Sequence, residues 1–303
     1  MKHFIKATEI WEFNSDKTEL VLSKGIYGNF KEFEKLSNSI SFRFNEGLPG
    51  KAWASKRPIV LTKFENSFFQ RTELANKINI TAAIAMPIFA GEYLQSVVVF
   101  LCGDSEDHSG AIELWHANPG RAKEMALVDG YYGTMEDFEW ISKNVKIMKS
   151  QGLPGGVWDS GMPKMMYDLG KSATFLRASK AAKAGITTSL GIPAWINEED
   201  GYVMTFLSGK NTPIARRFEI WHPYNDELIY NDGYTIGDID LIETHKSTII
   251  KKNETILGRV WETGHPILSE KSDMKNAPGE YDAVLAIPVL QNGFFKAGIV
   301  FYY

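Results

Sequence analysis

Polar and apolar residues alternate through residues 8–14, which puts Glu9, Trp11 and Phe13 on one face of a strand and Ile10 and Glu12 on the other. Asn14-Ser15-Asp16 is a turn cluster, so residues 19–23 return as a second strand. The period then lengthens, and Phe30, Phe33 and Leu36 suit a short helix. Residues 41–44 read as a third strand that runs into Gly47-Leu48-Pro49-Gly50. This is a turn signal in which Pro49 opens a helix over residues 51–56. Pro58 stops that helix, residues 59–61 form a short strand, and residues 69–78 support a second helix. Residues 81–89 and 94–101 close the pattern as a hairpin about Gly91-Glu92. Both of its strands are almost continuously apolar, as expected of central strands covered on both faces.

The same order recurs twice more. Glu-(Ile/Leu)-Trp occurs at Glu9-Ile10-Trp11, Glu113-Leu114-Trp115 and Glu219-Ile220-Trp221, with the tryptophans 104 and 106 residues apart. Gly-x-(Ala/Val)-Trp-x-(Ser/Thr)-x-x-Pro begins at Gly50, Gly155 and Gly258 and ends at Pro58, Pro163 and Pro266. A strand broken by proline follows as Ala85-Met86-Pro87, Gly191-Ile192-Pro193 and Ala286-Ile287-Pro288. From central tryptophan to strand proline the gaps are 34, 35 and 27 residues, so the third copy is shortened.

In the second copy the pattern places strands at 111–116, 124–129, 164–166, 189–196 and 202–207, with helices over 135–148 and 175–184. In the third it places strands at 218–221, 227–230, 285–290 and 297–302, and Pro278-Gly279 excludes one long helix over 269–282. A period near 100 exceeds the roughly 20–50 residues of solenoid and propeller repeats. Three small domains are therefore expected, at residues 1–105, 106–211 and 212–303, with short links that hold neighbours in contact.

The order of elements and the two motifs resemble the GAF domain family. Residues 47–61 and 82–101 carry the likeness in the first unit, 152–166 and 188–207 in the second, and 255–268 and 283–302 in the third. The resemblance implies an α+β fold of three tandem GAF-like domains, each a central antiparallel sheet with short helices packed on it. It also implies a small-molecule pocket between sheet and helices, and sensing more often than catalysis. The chain departs from the family in lacking long flanking helices and room for a kinase, cyclase or DNA-binding module. Any response is expected to pass to a separate protein partner.

Bulk composition narrows the classes. A net charge of −4 without a basic run argues against a nucleic-acid surface. The apolar runs at 82–90 and 97–102 fall short of the roughly 18 residues that span a bilayer, so no membrane partner is expected. Residues 1–6 contain no apolar signal core, and a single cysteine excludes an internal disulfide, so a cytoplasmic protein is expected.

Candidate ligand contacts are Trp53, Arg71, Trp158 and Arg177. Aromatic walls with few polar groups suit small ligands, although tryptophan serves core packing equally. Arg71 and Arg177 each lie 16 residues before their strand proline, and a planar guanidinium there could grip a carboxylate or phosphate; the third unit has Ser272 instead. The opposing reading is an intramolecular ion pair.

No catalytic residue, metal set or cofactor is specified. His116 and His222 follow the first-strand tryptophans but do not make metal-ligand spacing. Stand-alone GAF proteins that reduce free methionine sulfoxide use several cysteines. Cys102 has no resolving partner and lies on a strand, which also gives no anchor for a covalent bilin. The Asn-Lys-Phe-Asp-Glu signature of cyclic-nucleotide-binding members is missing. The leading expectation is a non-catalytic sensory or regulatory protein taking an unidentified small molecule in the first or second unit. The alternative is a protein-interaction scaffold with filled cores, and an enzyme such as a free methionine sulfoxide reductase ranks last.

Overall fold

The computed structural model describes residues 4–103, 109–117, 124–194, 201–209, 213–271 and 281–303. The first unit runs β1 (Ile5–Phe13), β2 (Glu19–Ile26), α1 (Lys31–Ser37), β3 (Ser41–Arg43), α2 (Gly47–Ser55), β4 (Ile59–Leu61), α3 (Thr72–Lys77), β5 (Ala82–Ala90) and β6 (Tyr93–Cys102). The second runs β7 (Gly110–Ala117), β8 (Glu124–Tyr131), α4 (Glu136–Asn144), β9 (Ile147–Met148), α5 (Gly152–Ser160), β10 (Lys164–Met166), α6 (Ala178–Ala184), β11 (Ile186–Pro193) and β12 (Gly201–Gly209). The third runs β13 (Arg217–Tyr224), β14 (Glu227–Thr235), α7 (Leu241–His245), β15 (Ile249–Ile250), α8 (Thr255–Thr263), β16 (Ile267–Glu270), β17 (Ala283–Gln291) and β18 (Phe294–Tyr302).

Each unit is one antiparallel six-stranded sheet, and the strand order is the same in all three: β3-β2-β1-β6-β5-β4, then β9-β8-β7-β12-β11-β10, then β15-β14-β13-β18-β17-β16. The α+β architecture expected from the repeat is the architecture found. The boundaries near 106 and 212, Ser272 and Pro278-Gly279 lie outside the described residues.

Three local readings are corrected. Gly47-Leu48-Pro49-Gly50 is the first turn of α2, not a turn before it, and Gly152–Gly155 likewise opens α5. Pro49 and Pro154 fit there because first-turn amides have no intrahelical acceptor to lose. The helix expected over 135–148 stops at Asn144, and Ile147 pairs with Met125 across β8 and β9 to carry a buried side chain into the sheet. The third unit also holds α7, β15, α8 and β16, which its weaker pattern did not announce.

The central motif is a device for docking a helix. A Cβ on Gly50 would lie 2.1 Å from the carbonyl oxygen of Arg43, one on Gly155 2.1 Å from that of Met148, and one on Gly258 2.2 Å from that of Lys251. Only glycine lets the helix backbone come this close to the preceding strand. The contact is sealed by Asn45 N–H donating to Gly50 O at 2.9 Å, Ser150 N–H to Gly155 O at 2.9 Å and Asn253 N–H to Gly258 O at 3.1 Å. Two residues on, Ala52, Val157 and Val260 are buried against the sheet.

The sheets are covered on both faces, which explains their nearly unbroken apolar strands. On β6, Val97, Val99 and Leu101 face the unit's own helices, while Val98, Phe100 and Cys102 face a second core shared by all three units. At its centre are Phe100, Phe206 and Phe301, each 13 residues after its strand proline. Their ring centroids are 5.4 Å (Phe100–Phe206), 5.4 Å (Phe206–Phe301) and 6.0 Å (Phe100–Phe301) apart.

The units contact one another in a closed cycle. Strand β4 packs on β7 and β8, β10 on β14, and β16 on β1 and β2. Each unit thus lays its last short strand on the first hairpin of the next, and the third returns to the first. Phe206→Ala removes a ring from the shared core, and we expect it to destabilise the protein by about 3–5 kcal/mol in denaturant unfolding. A fall confined to the second unit, with the other two melting unchanged, would contradict a common core.

Candidate functional site

The space between sheet and helices in the first unit is organised around Glu9. Period-2 geometry points Glu9 and Trp11 from β1 to the same side, and the register of β1 against β2 slips between Ile10 and Trp11. The Trp11 indole N–H donates to Glu9 Oε2 at 2.9 Å, and the Tyr27 hydroxyl donates to Oε1 at 2.9 Å. Arg71, immediately before α3, closes a bidentate pair, with Nη1 donating to Oε1 and Nη2 to Oε2, the latter at 2.9 Å. Ser37 on α1 accepts from Arg71 Nη1 at 2.6 Å and donates to the Phe33 carbonyl at 2.8 Å. The guanidinium carbon lies 4.7 Å from the Phe33 ring centroid, 5.4 Å from Phe69 and 5.6 Å from Trp11.

The second unit repeats this set. Arg177 pairs with both oxygens of Glu113, with Nη2 to Oε2 at 3.0 Å, and also donates to Ser142. Glu113 accepts from Trp115 at 2.9 Å, Tyr132 at 3.0 Å and Thr205 at 2.9 Å. Phe138 and Phe175 flank the guanidinium at 4.7 and 5.0 Å. Arg71 and Arg177 are each only 3% exposed. They are thus placed in equivalent positions, each committed to a carboxylate of its own unit.

The third unit keeps the glutamate and changes its partners. Glu219 accepts from Trp221 at 3.0 Å and from the Tyr302 hydroxyl at 3.1 Å. Its cation comes from Arg217, two residues earlier on the same strand, and His245 Nε2 lies 2.9 Å from Oε1. The Arg71 position is filled by Ser272 in sequence, and the glutamate's own strand supplies the charge instead.

Sequence reasoning marked Glu-x-Trp as a repeat but missed Glu9 and Glu113 as the partners of the arginines, and it missed Ser37, Ser142, Tyr27 and Tyr132. A signal for the tyrosines was present. Gly25-x-Tyr27 and Gly130-x-Tyr132 place a glycine where a Cβ would come within 2.4 and 2.7 Å of the tyrosine ring. The carboxylate–arginine contact spans more than sixty residues of sequence and left no spacing rule.

Trp53 and Trp158 sit on the outer flank of the docked helices. Trp53 packs edge-on against Phe13 and Phe44, each at 4.9 Å, and Lys149 Nζ lies 5.6 Å from the Trp158 ring centroid. Neither is brought together with its unit's arginine. Cys102 is buried in the shared core. His116 stacks on Tyr202 at 4.2 Å, and burial pushes the pKa of His222 down. Among the described residues no group of three or more His, Cys, Asp and Glu could hold a metal ion. No described helix is long and apolar enough to cross a membrane.

Among the concave places of the described residues, two larger ones lie outside these interiors. A shallow one of about 480 Å³ runs between α4 and α6, with Asp137 and Lys180 on its rim. The other is a cleft of about 430 Å³ where the third unit meets the first, lined by Ile5, Lys6, Ile26, Leu268, Lys271 and Asp282 among others.

Burial by itself raises the pKa of Glu113, but the charge and hydrogen bonds of Arg177, with Trp115 and Thr205, outweigh it and hold the carboxyl below its usual 4.5. Glu219 is likewise pushed up by burial and brought down by His245, Arg217 and Trp221. A carboxyl whose folded pKa is depressed stabilises the fold fully above the unfolded value and loses that contribution as pH falls through the folded one. Stability is therefore expected to drop below about pH 4.5 as these groups take up protons. Arg177→Met, which strands a buried charge, should cost about 3–5 kcal/mol at neutral pH. The variant should also lose less on acidification than the parent. Equal acid slopes in chemical unfolding at pH 7 and pH 3 would contradict this account.

No protein-family model matches the chain, and no curated protein matches it. Among solved structures, the GAF domain of A. aeolicus nlh2 in an inactive state aligns at 23% identity over 34% of this chain and 60% of that one, with a TM-score of 0.28. The aligned span is thus less than two thirds of that protein's chain. The GAF domain of a phosphoenolpyruvate-protein phosphotransferase from Coxiella burnetii aligns at 20% identity over 34% of this chain and 61% of that one, TM-score 0.27. Free methionine-R-sulfoxide reductase from Neisseria meningitidis, in complex with its substrate, aligns at 16% identity over 32% and 52%, TM-score 0.25. With one strand order repeated three times under one helix-docking motif, the chain is a tandem of three GAF-like α+β domains.

Proposed function

We propose that this chain is a non-catalytic, cytoplasmic regulatory protein in which three fused GAF-like units act as one interaction scaffold for a separate protein partner. The observation that carries this reading is the filled interior. Where a small-molecule pocket would lie between sheet and helices, Trp11, Phe33, Phe42 and Phe69 surround the Arg71–Glu9 pair, and Trp115, Phe138 and Phe175 surround Arg177–Glu113. Taking a carboxylate or phosphate on Arg71 or Arg177 would require its own glutamate to leave, stranding a second charge in the core.

The partner face we favour is the outer edge of the third sheet. Ile229 and Ile249 pair across β14 and β15 and are 40% and 51% exposed, while the equivalent pair in the first unit is Val21 with Ser41. Two exposed β-branched residues side by side on a strand edge suit association better than solvent.

The test is the native mass of the protein purified from its own cells, set beside its denatured mass. Ile26→Tyr, which narrows the cleft between the third and first units, is measured in parallel. We expect the Ile26→Tyr protein to keep its partner and show no small-molecule mass excess, and Ile229→Glu/Ile249→Glu to lose its partner at an unchanged melting temperature. A mass excess that survives Ile26→Tyr and disappears in an Arg71→Ala/Arg177→Ala protein would put a ligand inside the units and overturn the scaffold reading.

A further inference from the structure

The three contacts between units are equivalent by register but not by chemistry. Opposite the first strand of each unit, the same position of the second strand holds Ile26 (paired with Thr8), Tyr131 (paired with Ile112) and Tyr234 (paired with Phe218). Where the first unit meets the second, Tyr131 fills the seam. Its ring centroid is 5.3 Å from that of Phe4, and its hydroxyl is 3.1 Å from Thr81 Oγ1. Where the second meets the third, Tyr234 packs against the shared core.

Where the third meets the first, the residue is Ile26, and its opposite number is changed too. Thr81 and Asp282 occupy the same place in their units, since Thr81 N–H donates to Cys102 O at 2.9 Å and Asp282 N–H to Tyr303 O at 2.8 Å. At that register position this seam has no phenol ring, the tyrosines that line the cleft being Tyr27 and Tyr303, and it offers a carboxylate where the other offers a hydroxyl. Ile26 and Asp282 both line the cleft of about 430 Å³.

We propose that this cleft is a binding site for a small aromatic molecule bearing a hydroxyl or amino donor, which replaces the side chain the first unit lacks. Its ring would lie against Ile5, Ile26 and Leu268, where exclusion of water from apolar surface supplies most of the affinity. Its donor would meet Asp282, and a charge-assisted hydrogen bond of that kind is stronger than the neutral one made by Tyr131. The volume lies within the roughly 300–1,000 Å³ of small-molecule sites and leaves room for a substituent near Lys6 and Lys271. The third and first units are distant in sequence, so a molecule held between them would couple the ends of the chain. The site opens outside the interiors, although Ala7 and Tyr27 line both, and it does not include the Ile229–Ile249 edge, so the inference stands whether or not the scaffold reading does.

The experiment uses 4-fluorophenol and fluorobenzene as probes, followed by fluorine NMR on the intact protein. A ring of this size with one hydrogen bond binds at about millimolar affinity. We expect 4-fluorophenol to bind at least about tenfold more tightly than fluorobenzene, the effect of one hydrogen bond to a charged group. Ile26→Tyr should abolish binding of both probes and raise the melting temperature. Asp282→Leu, a change at an exposed residue that the fold does not need, should keep fluorobenzene and lose the preference for the phenol. Equal binding of 4-fluorophenol to the parent and Ile26→Tyr proteins would overturn the proposal. So would no binding to the parent protein, or a phenol preference that survives Asp282→Leu.

Discussion

A carboxylate taken out of water must be matched by a cation and by enough donors to occupy its lone pairs, and every unit of this protein is built over one such carboxylate. Glu9, Glu113 and Glu219 each stand on the first strand of a sheet, beneath the helices, with a tryptophan two residues on that donates its indole N–H back. In the first two units the cation arrives from the segment before α3 or α6, and a serine on α1 or α4 holds its other face. One network therefore ties the sheet to both helices. Desolvation of the glutamate is offset only while all of these elements are in place, which makes the helix layer cooperative with the sheet. The third unit shows that the requirement is for charge balance and not for a given residue. It has Ser272 at the sequence position of the helix-side arginine and takes its cation from Arg217 on the strand.

The second constraint is that the central strands of these sheets have no solvated face. Their outer surfaces carry helices and their inner surfaces meet one another around Phe100, Phe206 and Phe301. A single small sheet with a few short helices has little core of its own, because the buried share of a chain's surface grows with size. Fusing three units and closing the cycle gives each sheet a second apolar layer. This accounts for short helices of six to nine residues in the first two units that would be marginal by themselves.

Pseudo-symmetry of this kind is also where individuality becomes visible. Arg57, Met162 and His265 occupy one equivalent place just before the motif proline, and they meet different surroundings. Arg57 lies over the Tyr202 ring at 5.9 Å, Met162 packs against the shared core, and His265 Nδ1 is 2.9 Å from Glu12 Oε1. The seam between the third and first units, which no chain link bridges, carries the His265–Glu12 contact and has Asp282 on its cleft. A seam that has exchanged packing for charge and space is a natural place for recognition, whereas the interiors are spent on stability.

Much of this was legible in the sequence, because it follows from local periodicity and repetition. The Glu9–Trp11–Phe13 face, the apolar hairpins and the threefold motif fixed the sheets, their number and their class. Alternation and helix spacing are short-range properties that survive in any one segment. The start of α2 and the end of α4 were misread because tertiary contact overrode a turn signal and a helical run: Gly50 is needed for close approach to Arg43, and Ile147 is needed in the sheet. The site depended on contacts no window contains. Arg71 reads the same whether it awaits a ligand or grips Glu9, and only the folded sheet brings together two residues 62 apart in the chain. Repetition in the sequence determined that there are three like units. The closing of those units into a cycle, and with it the seam between Ile26 and Asp282, was decided by tertiary structure alone, since side chains meet there that share neither segment nor period.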